Sequence, residues 1–213
     1  MASITEAIIL ADRAGTELAP LTNNRPVCML PVGNKLLLQI TLEELYCAGI
    51  RSATVISSCH HELVRETFGS GRRFGMSLTH LFTAQPTDTR EAIDMAGLDQ
   101  TYPAMVIRGD MLRPFGFLDE ALKADAGSRG EQIYSSMGIA LPQSPQAAHH
   151  SIAWEAICEN NHFSACLVNS VPAFHDANMM ALDGEVPGVC PPGRQAPDHM
   201  LVGSNSMVRS QRA

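Results

Sequence analysis

Lysine is almost missing from this chain: Lys35 and Lys123 are the only two in 213 residues. Positive charge as a whole is scarce, with 15 Lys and Arg against 22 Asp and Glu and a formal net charge of −7. A surface of that sign has no field to gather duplex nucleic acid or an anionic membrane, so neither is expected as a partner. Tryptophan occurs once, as Trp154, and reads as a core or interface residue. No apolar run approaches the ~20 residues of a membrane-spanning helix. A basic leader is also missing, since Glu6 precedes the first apolar run and Asp12 follows it. Secretory signals begin basic and end in a cleavage site, so a cytoplasmic location is expected. Cys28, Cys47, Cys59, Cys158, Cys166 and Cys190 form no C-x-x-C pair, which argues against a zinc site. They read as free thiols packed as small apolar groups. The pairs His60-His61 and His149-His150 are poor chelates, because adjacent side chains point apart.

What the chain does have is the balance of a globular protein, 45% hydrophobic and 17% charged. At roughly 100–200 residues per domain, its length allows one domain and a short appendage. Ala7-Ile8-Ile9-Leu10-Ala11 is an apolar run without a polar break, the pattern of a strand buried on both faces. Apolar groups at helical spacing over 35–47 predict a helix closed by Ala48-Gly49. Further strands are expected at 53–57, 77–82, 104–107 and 133–141. Helices are expected at 62–68, 89–96, 115–124, 152–158 and 176–182. This alternation predicts an α/β fold, a Rossmann-like, mostly parallel sheet with helices on both faces. Ligands of such sheets bind beyond the carboxyl ends of the strands. That directs attention to 12–18, 85–89 and Gly109-Asp110. The Gly- and Pro-rich stretch from Gly184 reads as a linker. The apolar spacing around Gly203 gives one weak β-helix-like rung. The expected division is therefore a domain at 1–183 and a linker with a short tail at 184–213.

The N-terminal block carries a more specific pattern. Ile8-Ile9-Leu10-Ala11 is followed by Gly15-Thr16, Leu18, Pro20-Leu21-Thr22, Arg25-Pro26 and Met29-Leu30-Pro31-Val32. Then come Gly33-x-Lys35, Ala48-Gly49-Ile50, Phe68-Gly69-x-Gly71, Gln85-Pro86 and Gly109-Asp110-x-Leu112. In order and spacing this resembles the sugar-phosphate nucleotidyltransferases, the nucleotide-sugar pyrophosphorylases such as mannose-1-phosphate guanylyltransferase. The tail, with Pro192-Gly193-Arg194 and Val202-Gly203, resembles the start of that family's left-handed β-helix. The resemblance implies transfer of a nucleotidyl group from a nucleoside triphosphate to a sugar 1-phosphate. It implies a nucleotide site built from Leu10, Ala11, Asp12, Arg13, Gly15, Thr16, Gln85, Asp88 and Gly109. It also implies Mg²⁺ held by Asp110, where any ligand-binding activity remains. The plain reading of Asp110 is a strand-end carboxylate that caps the next turn.

Against that pattern the chain departs at charged positions. Asp12 and Arg13 stand where the family has small residues and glycine. Glu17 stands where its phosphate-gripping arginine follows Gly-Thr. Val27 replaces the lysine that follows Arg-Pro, and Asp88 replaces a glycine near the base. Asn169 falls at the second metal aspartate. One unit-charge pair at ~4 Å is worth about 4 kcal/mol at an effective dielectric of ~20, so losing it lowers a rate about a thousandfold. Arg13 has Asp12 and Glu17 as expected local partners. Three readings follow. The first is an inactive homologue serving as a regulatory or scaffolding subunit, in a homo-oligomer or with a partner protein. The second is an active enzyme using Arg13 or Arg25 as replacement cations. The third is a sensor that binds a nucleotide or nucleotide sugar without turnover.

Overall fold

The structure is a computed structural model that describes residues 4–87, 89–97, 104–113, 118, 139–140, 166–186, 188–189, 194–195 and 201–202. Its centre is strand β1 (Glu6–Ala11), buried along all but its first residue. Side chains alternate across a strand, and both sides of this one are covered. Ala7, Ile9 and Ala11 pack with Leu38, Leu42, Leu45, Val64 and Phe68 of helices α1 (Leu37–Cys47) and α2 (His61–Phe68). Ile8 and Leu10 face the opposite way, toward Ala92 and Ile93 of helix α3 (Thr89–Ala96). An unbroken apolar run is thus what a strand between two helical layers requires.

Three strands run parallel with it: β4 (Ser52–Ser57), β5 (Ser77–Phe82) and β6 (Ala104–Arg108). The sheet order is β5-β4-β1-β6-β8, with β8 (Ile139–Ala140) antiparallel to β6. The expected alternation and helices on both faces are present. The strand expected at 133–141 is described only at Ile139–Ala140. The helix expected at 115–124 is described only at Leu118, which is helical and buried. That expected at 152–158 lies outside the described residues.

Two boundaries differ from expectation for local reasons. Lys35 and Leu36 do not open α1. They form β3 (Lys35–Leu36), paired antiparallel with β2 (Pro31–Val32) across Gly33-Asn34. Gly33 has φ +59°, the left-handed conformation that a two-residue hairpin turn favours. The helix expected at 176–182 starts earlier, as α4 (Val171–Leu182). Ser170 caps it, its Oγ accepting the Ala173 N–H at 3.2 Å, and Pro172 sits in the first turn.

A second apolar cluster lies beside the sheet. It joins Leu18, Val27, Leu30, Val32, Leu37 and Ile40 to Leu112, Val168, Ala177 and Ala181. β7 (Met111–Leu112) pairs there with β9 (Cys166–Leu167). Val186 and Val189 are buried in the same cluster, so the expected linker is packed at its start. In the tail, β10 (Arg194–Gln195) pairs antiparallel with β11 (Leu201–Val202).

Candidate functional site

β1 is the strand from which the sheet grows in both directions: toward β4 and β5 on one side, and toward β6 on the other. The carboxyl ends of β1 and β6 therefore flank a topological switch point, where open α/β sheets take their ligands. Ala11-Asp12-Arg13 leaves one strand there and Arg108-Gly109-Asp110 the other. The two ends are latched, because Gly109 N–H donates to the Leu10 carbonyl at 2.9 Å. A side chain at Gly109 would begin 3.0 Å from Ile9 Cγ2 and 3.2 Å from Leu38 Cδ1, a tight fit that these side chains would have to relax to admit. Leu10 and Ala11 give their side chains to the core on opposite faces and leave only backbone at the crevice.

The turn after β1 keeps its shape through packing. Gly15 is left-handed, with φ 73° and ψ 43°, and a 3-10 turn follows over Thr16–Leu18. The Gly15 carbonyl accepts from Leu18 N–H at 2.9 Å and from Thr22 Oγ1 at 2.6 Å. Leu18 and Val27 are both fully buried. Val27 thus supplies an apolar floor where the family resemblance places a lysine.

Charge in the crevice is organised around Asp110, whose side chain is only 2% exposed. Arg108 binds it two-fold, Nε to Oδ1 at 2.8 Å and Nη2 to Oδ2 at 2.7 Å. Arg13 Nε adds a third contact, to Oδ2 at 2.6 Å. Burial pushes the Asp110 carboxyl up, but the guanidinia of Arg108 and Arg13 outweigh it and hold the group below its usual range. Arg13 reaches further, donating from Nη1 to Glu17 Oε1 at 2.8 Å and from Nη2 to the Val168 carbonyl. The expected partner Glu17 is therefore found, and the expected partner Asp12 is not.

Asp12 has a different task. Its Oδ2 accepts the Thr87 N–H at 2.6 Å, and its carbonyl accepts from Ser58 Oγ. It ties the turn after β1 to the loop that carries Gln85 and to the end of β4. Burial raises the Asp12 carboxyl above its usual range, against the pull of the Thr87 N–H. Gln85 is exposed, with its carbonyl accepting from Thr83 Oγ1 at 2.7 Å. Asp88 lies outside the described residues. The structure thus brings together Asp12, Arg13, Glu17, Gly109 and Asp110, with Thr16 in the intervening turn. Arg25 is exposed. Lys35 is ion-paired with Glu43 on α1.

Arg108 and Val168 were not expected here: the strand expected at 104–107 runs one residue further and ends on Arg108. Two more polar pairs lay beyond sequence reasoning. Ser57 Oγ and His61 Nδ1 stand 2.8 Å apart at the end of β4. Arg113, fully buried, pairs with Glu44 of α1 at 3.2 Å and donates to the Arg108 carbonyl at 2.6 Å. The second joins residues 69 apart in sequence, and local patterns carry no signal for that.

As folded, this donor set does not fit a divalent cation. Magnesium takes near-octahedral oxygen donors, and both oxygens of Asp110 already accept guanidinium N–H groups. Asn169 is exposed, its N–H turned back to the Leu167 carbonyl at 2.9 Å. Among the described residues, no three His, Cys, Asp or Glu side chains gather as a metal site. No helix among them is long and apolar enough to cross a membrane.

Comparison with known proteins agrees with this architecture. The family model described as nucleotidyl transferase matches residues 6–148. A glucose-1-phosphate thymidylyltransferase of Xanthomonas campestris pv. campestris is 29% identical over 133 residues, covering 61% of this chain and 45% of the relative. A mannose-1-phosphate guanylyltransferase of Mycobacterium tuberculosis is 31% identical over 108 residues, 50% of this chain and 30% of that one. The epsilon subunit of translation initiation factor eIF2B from Dictyostelium discoideum is 28% identical over 109 residues, 51% of this chain and 15% of the relative. The chain spans less than half the length of each. With the family model covering most of the chain, the protein belongs to the nucleotidyl transferase family, on the sugar-phosphate side of it.

Proposed function

We propose that this chain is a nucleotidyltransferase-like protein without turnover, acting as a regulatory or scaffolding subunit in nucleotide-sugar or polysaccharide synthesis. One observation carries the reading. Glu17, where the family resemblance puts a phosphate-gripping arginine, is paired with Arg13, and Arg13 is paired in turn with Asp110. A triphosphate entering the crevice meets the exposed carboxylate of Glu17, and guanidinia at Arg13 and Arg108 already paired with Glu17 and the buried Asp110. Transition-state charge is stabilised only by groups free to face it. The epsilon subunit named above supports the second half of the proposal, since its name places a related chain inside a multi-subunit factor. The partner is a second copy or another protein, and native mass measurement of purified material distinguishes the two.

The test is release of pyrophosphate. The purified chain is incubated with each nucleoside triphosphate, Mg²⁺ and a panel of sugar 1-phosphates. We expect no release above the protein-free control. Sustained release with any pair overturns the proposal. A second reading, a sensor that binds a nucleotide sugar without turnover, draws on the retained left-handed Gly15 turn and the Leu10–Gly109 latch. Calorimetric titration with nucleotide sugars separates them: heat of binding without pyrophosphate favours the sensor.

A further inference from the structure

We infer that Arg13 and Arg108 stand in for the divalent cation of this crevice: their guanidinia neutralise Asp110 and brace the surrounding strands, so the ion is excluded. The inference deepens the proposed function and concerns the same crevice, but it makes a claim about ion binding rather than turnover.

The geometry supports it on three counts. First, three of the carboxylate's roughly four acceptor positions are taken by guanidinium N–H groups. Arg108 grips it two-fold at 2.7 Å and 2.8 Å, and Arg13 closes on Oδ2 at 2.6 Å. An incoming ion would have to displace charge-assisted bonds already formed in the folded state. Second, Arg13 joins the two elements such an ion would join. Nε holds Asp110 just beyond β6, and Nη2 holds the Val168 carbonyl beside Asn169 just beyond β9. An ion between residues 110 and 169 would span the same gap. Third, the replacement is internally balanced. Glu17 takes up the remaining charge of Arg13 from the exposed side at 2.8 Å. Bidentate arginine suits this role, because a planar guanidinium presents several N–H groups at fixed angles, whereas an ammonium acts as a point charge.

The experiment measures Mn²⁺ binding by electron paramagnetic resonance on seven proteins. These are the wild type, Arg13→Ser, Arg13→Lys, Arg108→Asn, Asp110→Asn, the Arg13→Ser/Arg108→Asn double variant, and that double variant with Asp110→Asn. Circular dichroism and thermal melting establish that each is folded. Wild type is expected to show no binding that depends on Asp110, and no shift in melting temperature with EDTA or Mg²⁺. The double variant is expected to bind one Mn²⁺ at least about tenfold more tightly than wild type, with Asp110→Asn abolishing it. Arg13→Lys keeps a cation at the site and is expected to bind Mn²⁺ more weakly than Arg13→Ser. Wild-type binding that Asp110→Asn removes overturns the inference. So does a folded double variant that still binds nothing, because the guanidinia would then not be what excludes the ion. Should the double variant not fold, the two single variants are read by the same criteria. Pyrophosphate release is scored separately, so an active chain without the ion and an inactive chain with it are told apart.

Discussion

Gly15 shows at a single residue how packing fixes the shape of the turn after β1. Its φ of +73° is costly for any residue with a side chain, and a Cβ there would run into Val27 Cγ2, with Thr22 Cγ2 3.2 Å away. Gly15→Ala is expected to cost about 2–4 kcal/mol in urea unfolding, combining backbone strain with overpacking against a stiff β-branched neighbour. This residue was legible in the Gly-Thr pattern. Glu44 was not, since nothing near it in sequence announces Arg113. Burial pushes the Glu44 carboxyl up to about 7, and the attraction of Arg113 offsets only part of that. Its Oε1 has no hydrogen-bond partner among the described residues. The folded value lies above the ordinary 4.5, so the folded state holds the proton more tightly than the unfolded one. The group therefore contributes stability fully present below the ordinary value and lost as pH rises through about 7. Denaturant unfolding of wild type and Glu44→Gln at about pH 5 and about pH 8 checks this. Wild type is expected to lose stability relative to the variant between the two. An equal difference at both values would show that Glu44 does not titrate there.

Elements were legible in proportion to how local their causes are. β1 and β6 are short apolar runs, and sequence reading found them because burial on both faces leaves no alternation to misread, whereas β5, at the sheet edge, was found by its alternation. α4 shows the opposite case. Reading by apolar spacing finds its second half, because Ala177 and Ala181 face the core. Its true start rests on one hydroxyl, Ser170 Oγ, and on a proline tolerated only in the first turn. Ser170→Ala is expected to cost about 1 kcal/mol, the ordinary value for a lost N-cap. Hydrogen exchange should quicken at Ala173 and Phe174 first, with the α1 amides unchanged. Uniform quickening along both helices would mean the cap is coupled to the whole fold. The crevice was legible to the same degree. Asp12, Arg13, Glu17 and Asp110 were all singled out, and their grouping followed from strand ends. Glu17 was foreseen as a partner of Arg13, but that Asp110 and not Asp12 would be the other was not, because Asp12 is adjacent in sequence whereas Asp110 is adjacent only after β1 and β6 pair.

At the scale of the molecule, the question is whether the segment after β1 opens by itself, as a loop that admits phosphates must, or only when everything unfolds. Cys28 answers it. The thiol is 1% exposed and belongs to the central core cluster, with its Sγ against the Ala11 carbonyl. Burial pushes its pKa well up, and the nearby Asp110, Cys59 and Asp12 add to the shift, so the thiolate is suppressed while the fold is intact. Cys47, at the end of α1, is exposed. The described cysteines are free, so each is open to alkylation once water reaches it. With Leu18, Val27 and Leu30 buried on the same segment, we expect that segment to move only with the domain. Cys47 should then label at once, and Cys28 roughly 10³–10⁴-fold more slowly, tracking a global opening free energy of about 5 kcal/mol. Pulsed alkylation with peptide mapping measures both. Urea below the unfolding midpoint should speed Cys28 with the same slope as global unfolding. If Cys28 instead labels quickly and with no urea dependence, the segment opens alone, and a closed, internally neutralised crevice is not the resting state of this protein.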